Sequence, residues 1–362
     1  MFSLIVFLIV FSVLIIVHEF GHFITAKYQR VRVERFSLGF GWRLLKFRKR
    51  VDSTEYSINA IPLGGFVKLA GDNLEDYRGK PDEFYSKAPW QRALIVAFGS
   101  LLNYALGIFC FWMIFFAGYF TLTSKVGGLL EGYPAKEAGI QVGDKIISVD
   151  GKKIDSWEDL QMAIYNKDPA STAQLSILRD HKEYKIAVAL KKKELDDELG
   201  QKRKVGLMGV TPNPDEKIKV RYGPWQSLLL SIKKSLSITV LTYNALWRII
   251  VGKISLRESI TGPLGIFYIT SEAAHLGVSS VLNLIGLLSI SLAIFNLLPL
   301  PILDGGHLLL LGIEKIRGRR LSIKAEQILN QVGMTLIATL AIIVTYNDFL
   351  RFKDKIFSFF IK

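Results

Sequence analysis

The stretch from Met1 to Val17 contains no charged side chain, and it runs without a break into His18-Glu19-Phe20-Gly21-His22. That junction constrains the fold more than any other part of the chain. An α-helix continued through His22 to Ala26 would be roughly 39 Å long, enough to cross a hydrocarbon core of about 30 Å. A secretory signal peptide would place Lys or Arg before the apolar run and a small-residue cleavage site after it. Here the cations follow the run, at Lys27, Arg30, Arg32, Arg35, Arg43, Lys46, Arg48, Lys49 and Arg50. The positive-inside rule then predicts an external N-terminus and a cytoplasmic segment over 27–91.

A second span is predicted from Ala93 to about Thr121, apolar apart from Ser100, Asn103 and Tyr104. A third, Val278 to Leu303, and a fourth, Ile328 to Val344, flank Lys315, Arg317, Arg319, Arg320 and Lys324, which belong in the cytoplasm by the same rule. Pro224 to Gly252 carries Lys233, Lys234 and Arg248 and reads as an interfacial helix. As a single crossing it would put residue 304 on the wrong side. Against this scheme, Arg351, Lys353, Lys355 and Lys362 fall outside. A composition that is 50% hydrophobic and 22% charged does not suit a purely soluble enzyme or a disordered tail. The excess of 46 Lys+Arg over 32 Asp+Glu, a net charge of +14, fits loops facing anionic lipid and not a nucleic-acid partner. The single Cys110 excludes an intrachain disulfide or a cysteine zinc site.

Between the second span and Pro224 lies a soluble β-rich insert. Gly143-Asp144 leads into the strand-like Lys145 to Val149, and Asp150-Gly151 is a two-residue hairpin turn. Trp157, Leu160 and Ile164 are helically spaced, and strand-like runs follow at Ala173–Leu178 and Tyr184–Leu190. This order resembles a bacterial PDZ domain, with Pro134-Ala135 opening a short helix that Gly139 ends and Val205 to Val210 as closing strand. PDZ domains take extended peptides onto a sheet edge, so peptide termini are the expected partners of that groove. The Lys191–Lys193 and Lys202–Lys204 runs read as a solvated face or linker.

On a helix, His18 and His22 share a face, so both imidazoles can reach one Zn²⁺ while Glu19 stands beside it. An unpaired Glu in an otherwise apolar span costs at least about 2.5 kcal/mol, which marks the pentad as functional. A catalytic zinc site usually has three protein ligands and one open position. The candidate third ligand is Asp304, after Pro299 and Pro301 break the third span. His307 is a rival, while His181 in the insert and His275 before the third span are expected elsewhere.

Residues 18–22, the Asn296 to Gly305 segment and the PDZ-like insert together resemble the site-2 protease family of intramembrane zinc metalloproteases, in its RseP-like bacterial branch. Further matching runs are Arg35 to Gly41, Lys87 to Arg92, Thr261 to Ile266 and Ile313 to Ile316. The best-known members carry two tandem PDZ domains, whereas this insert is long enough for one. The resemblance implies zinc held by His18, His22 and Asp304, Glu19 as catalytic base, and Asn296 on the substrate backbone. Tyr56–Ile61 and Phe66–Leu69, joined at Pro62-Leu63-Gly64-Gly65, read as a hairpin whose edge would pair with an unwound substrate. The family's membrane-associated β-loop lies there, which makes Gly64, Gly65, Phe66 and Val67 candidate substrate contacts.

The expected fold is therefore a polytopic α-helical membrane protein with four transmembrane helices, a membrane-associated β-hairpin and an inserted α+β PDZ domain. Its divisions are helix 1 over 1–26, the hairpin region over 27–91, helix 2 over 92–123, the PDZ domain over 124–215, an interfacial amphipathic region over 216–277, helix 3 over 278–316, and helix 4 with the tail over 317–362. The expected activity is cleavage within single-span membrane substrates, such as anti-sigma factors or remnant signal peptides, in the bacterial inner membrane. The active site would lie near the cytoplasmic side and the PDZ domain outside. The alternative is a non-catalytic PDZ-bearing membrane adaptor or metal-handling protein.

Overall fold

The computed structural model describes residues 2–48, 54–73, 75–196, 202–255, 261–320 and 322–360; Lys49, Arg50 and Lys362 of the basic runs lie outside them. The chain divides into two units, Met1–Ile114 with Pro224–Lys362, and Phe115–Gly223.

Among the described residues of the first unit, four helices are long and apolar enough to cross a membrane. They are α1 (Phe2–Tyr28), α2 (Pro89–Ala117), α7 (Val278–Asn296) and the Gln327–Phe352 part of α9 (Ile323–Phe360). Small residues set how closely they pack, since apolar burial gives no net drive between helices in lipid. A Cβ on Gly21 would lie 2.3 Å from the Phe98 carbonyl oxygen, and one on Gly107 would lie 2.5 Å from Ile290. α1 and α2 run antiparallel: Ala26 shares a cluster with Ile95, and Val10 and Leu14 share one with Cys110.

The segment after α1 departs from the expected hairpin. Residues 56–61 and 66–69 do not pair with each other; both belong to β2 (Glu55–Leu69), which pairs with β1 (Val33–Phe47). Each strand doubles back, so that Arg35–Leu38 has Cα partners both at 55–58 and at 65–68, while Leu45–Phe47 partners 56–58. The reversal in β1 falls at Gly39 and Gly41, with φ +82° and +83°, a region that L side chains rarely adopt. At its centre Ser37 Oγ lies 2.8 Å from Ser57 Oγ, and Asn59 Nδ2 donates to Ser37 Oγ and to the Gly39 carbonyl.

Pro224–Ile250 is one helix, α5, hydrogen-bonded to α2: Trp112 Nε1 donates to the Pro224 carbonyl at 3.0 Å, and Tyr104 Oη lies 2.9 Å from Thr239 Oγ1. Its buried residues are Arg248 and three small polar ones, Ser227, Ser231 and Ser235, which a hydropathy reading undervalues. A short helix, α6 (Pro263–Leu276), runs antiparallel to the first half of α1, where Phe267 meets Phe7 and Ser271 Oγ lies 2.8 Å from Ser3 Oγ. Helix 3 over 278–316 is in fact two helices. α7 stops at Asn296, an irregular Leu297–Leu303 segment follows, and Asp304 opens α8 (Asp304–Arg317). Pro299 and Pro301 account for the break.

The second unit has its own core, built on Ile146, Leu160, Leu175, Ile177 and Val188. Its main sheet has the order β6-β5-β7-β8, from Lys152–Lys153, Lys145–Val149, Thr172–Arg179 and Lys182–Ala189. Asp150 and Gly151 make the β5–β6 turn with φ +48° and +80°. Helix α3 (Pro134–Glu137) is short, and α4 (Trp157–Tyr165) starts from a capping box between Ser156 and Asp159. The Val205–Val210 run is split between β10 (Lys202–Leu207), which pairs with β9 (Lys191–Asp196), and β11 (Val210–Pro212).

Candidate metal centre and active site

Three of the predicted residues, His18, His22 and Asp304, meet where α1 packs on α2. His18 and His22 lie one turn apart with their rings 4.8 Å apart and perpendicular. His22 Nδ1 donates to the Ile95 carbonyl at 2.9 Å, which leaves a lone pair on Nε2. The two Nε2 atoms are 3.2 Å apart. Asp304 reaches them from the first turn of α8, with Oδ2 at 3.6 Å from His18 Nε2 and Oδ1 at 3.6 Å from His22 Nε2. Ser100 Oγ of α2 donates to Asp304 Oδ2 at 2.9 Å and orients that carboxylate.

These side chains are between 13% and 16% exposed, sheltered but reachable. One ligating atom from each falls within 4.8 Å of the others, the one such His/Cys/Asp/Glu group among the described residues. Ligands about 2.0–2.1 Å from a tetrahedral zinc ion sit roughly 3.3 Å from one another. The observed separations of 3.2 Å and 3.6 Å bracket that figure. The donor set fits zinc.

Glycines allow this approach. A Cβ on Gly99 would lie 2.3 Å from His22 Nε2, and Cβ atoms on Gly305 and Gly306 would lie 2.2 Å and 2.1 Å from the carbonyl oxygens of Leu297 and Leu300. The irregular segment before Asp304 contains Ile302 at φ +78°, a strained value for a β-branched residue.

Around the cluster, Asn296 Nδ2 lies 3.4 Å from His18 Nε2. Of the four β-loop candidates, Gly65 and Val67 border Glu19. A Cβ on Gly65 would touch Glu19 Cγ at 3.4 Å, and the Val67 backbone lies on the same side of the strand near the Glu19 carboxyl. Gly64 and Phe66 take the other side of the strand, against the Phe40 ring. His307 is not part of the ligand cluster, and neither is His181 or His275, whose ring packs near Phe2. Sequence reasoning missed Gly99 and Ser100, although a Gly-Ser pair inside an apolar span signals a close helix contact.

In the second unit a groove of about 460 Å³ runs between α4 and the 205–210 segment, lined by Leu160, Ile164, Tyr165, Val205, Leu207 and Met208. Among the described residues β10 pairs only with β9, so its other edge is open.

The profile of peptidase family M50 matches residues 6–340. A Rickettsia conorii protein named "Putative zinc metalloprotease" is 34% identical over 364 residues, covering 96% of this chain and 98% of its own. Regulator of sigma-E protease RseP of Escherichia coli is 28% identical, covering 95% of this chain and 98% of its own. Among solved structures, the PDZ domain of an SdrC-like protein from Listeria monocytogenes aligns with 25% of this chain and 87% of its own, at 21% identity and a TM-score of 0.21.

Proposed function

The chain belongs to peptidase family M50, and from that premise we propose an intramembrane zinc metalloprotease in which His18, His22 and Asp304 hold the metal and Glu19 is the general base. The observation that carries this reading is the meeting of three ligating side chains, from positions 18, 22 and 304, with Glu19 next to the first of them in the chain. Zinc bound there supplies a Lewis acid that polarises the scissile carbonyl and makes water a nucleophile at neutral pH. Glu19 takes the proton of the attacking water on a carboxylate oxygen and returns it to the departing amide nitrogen. Ser100 and the Ile95 carbonyl keep Asp304 and His22 in their ligating orientations. Asn296, beside His18, donates to the substrate backbone.

A transmembrane helix hides its peptide groups in internal hydrogen bonds, so its cleavage requires local unwinding and new partners. The 65–69 part of β2 pairs on one side with β1 and follows α1 from Ala26 back to Ile15, roughly 16 Å along the helix axis. A substrate paired to its other edge would present its carbonyls beside Glu19, with Gly65 and Val67 lining the contact and Gly64 and Phe66 supporting the turn. Substrates are single-span proteins of a bacterial inner membrane, with anti-sigma factors and remnant signal peptides as the leading classes. The site faces the cytoplasmic side, and the 115–223 domain, read as a PDZ domain outside, takes their trimmed ends in the α4–β10 groove.

Glu19→Gln tests the mechanism. The variant retains zinc and loses cleavage of a co-expressed single-span substrate by at least about 10²-fold, the contribution expected of a positioned base. Unchanged cleavage would exclude Glu19 as the base, and loss of zinc together with cleavage would leave the assignment unsupported.

A further inference from the structure

Asp304 follows a seven-residue break, so α7 does not dictate where it lies. Its position is instead a property of α8 as a rigid rod, and α8 is fastened to α2 at two points. One is Ser100 with Asp304. The other is Arg92, 1% exposed, whose Nη2 donates to Glu314 Oε1 at 2.6 Å. On α2 the two points are about 12 Å apart and on α8 about 15 Å, near-equal intervals on antiparallel helices.

We infer that Arg92 is a positioning residue for the metal centre, fixing Asp304 through Glu314 and α8. Its guanidinium is itself held in place: Nε donates to the Lys87 carbonyl at 3.1 Å, and the group lies over the Tyr85 ring. Arg320 closes the cluster, with Nε 3.4 Å from Glu314 and Nη2 donating to the Tyr85 carbonyl. A buried ion pair is weak as a source of stability, because desolvation offsets much of the attraction, but its geometry is strict. The pair therefore contributes alignment: it stops α8 from sliding along α2, a motion that would draw the carboxylate away from the two imidazoles.

The test measures zinc affinity of the purified full chain in detergent, by competition with a chelator, alongside thermal unfolding of the zinc-free protein. The inference rests on the metal-site reading, so Asp304→Asn is measured in parallel. The double variant Arg92→Gln/Glu314→Gln removes both buried charges of the pair, and Arg320, 36% exposed, keeps its Tyr85 carbonyl contact and access to solvent. It should bind Zn²⁺ 10- to 100-fold more weakly, the range for losing outer-sphere support of a ligand. Arg92→Lys, which keeps the charge but loses the two-nitrogen grip, should show an intermediate loss and serves alone if the double variant does not fold. A purely structural role would lower the unfolding temperature and leave the affinity within twofold of the parent, and that result in either variant would overturn the inference. Wild-type affinity in Asp304→Asn would instead refute the metal site itself.

Discussion

Replacing Gly99 by Ala should dismantle the metal centre by adding one methyl group. The new Cβ would stand 2.3 Å from His22 Nε2 and 2.5 Å from Cε1, whereas ordinary contacts begin at 3.4 Å. The ring or the helices must therefore separate by about 1.1 Å. The ring cannot swing freely, because Nδ1 is bound to the Ile95 carbonyl on the same helix as residue 99. Overpacking of this kind costs about 1–3 kcal/mol in stability. The functional loss should be larger, since a displacement near 1 Å at a reacting centre costs about 10²-fold in rate. Gly107→Ala is the matched control: its Cβ would meet Ile290 Cγ1 at 2.5 Å, an equal insult two turns away from the ligands. The assay compares zinc content, cleavage of a reconstituted single-span substrate and unfolding temperature for both variants. Similar destabilisation, with zinc and cleavage lost only in Gly99→Ala, is expected. Full zinc occupancy and parental cleavage in Gly99→Ala would refute the reasoning that the Gly99 contact sets the ligand geometry.

Gly65→Val should retain zinc but lower cleavage at least tenfold, because the added atoms crowd Glu19 and the Ser37 carbonyl, 3.4 Å and 2.9 Å from the Cβ position; zinc content and turnover measured together check this. Removing metal with a chelator should abolish cleavage, and zinc alone should restore it, as followed by product formation on a gel. In the 115–223 domain, burial would raise the Asp144 carboxyl, but the Arg179 guanidinium, bound through two nitrogens at 2.7 Å, and the Gln141 N–H hold it below the usual carboxylate range. A carboxyl lowered in the folded state adds stability that is complete above its unfolded pKa, near 3.9, and fades as pH falls through the lower folded value. Arg179→Gln should therefore move acid unfolding to higher pH, read by circular dichroism of the full chain.

The residues of the candidate site were more legible than the scaffolding around them. Charged groups in an apolar span are rare enough to stand out, so His18, Glu19 and His22 could be read directly, and two prolines ahead of Asp304 marked the break that brings it inward. The doubled-back sheet was hidden because Arg35, Arg43, Lys46 and Arg48 drew the 27–50 region into a charge argument. Phe36, Leu38, Phe40, Trp42 and Leu44 nonetheless alternate along it with the period of a strand. The buried side of α5 was hidden for a different reason: Ser227, Ser231 and Ser235 are small enough to sit between helices, yet a hydropathy reading counts them as polar. Arg92 and Glu314 are far apart in sequence, and no local pattern joins them.

The two ends of the 115–223 domain lie side by side. Phe115 and Phe116 accept hydrogen bonds from Tyr222 and Arg221, and Trp112 reaches the Pro224 carbonyl. An insertion whose two ends already touch adds little closure entropy to its host, whatever its length. A change in the insert's length therefore leaves the closure cost of the host helices nearly unchanged.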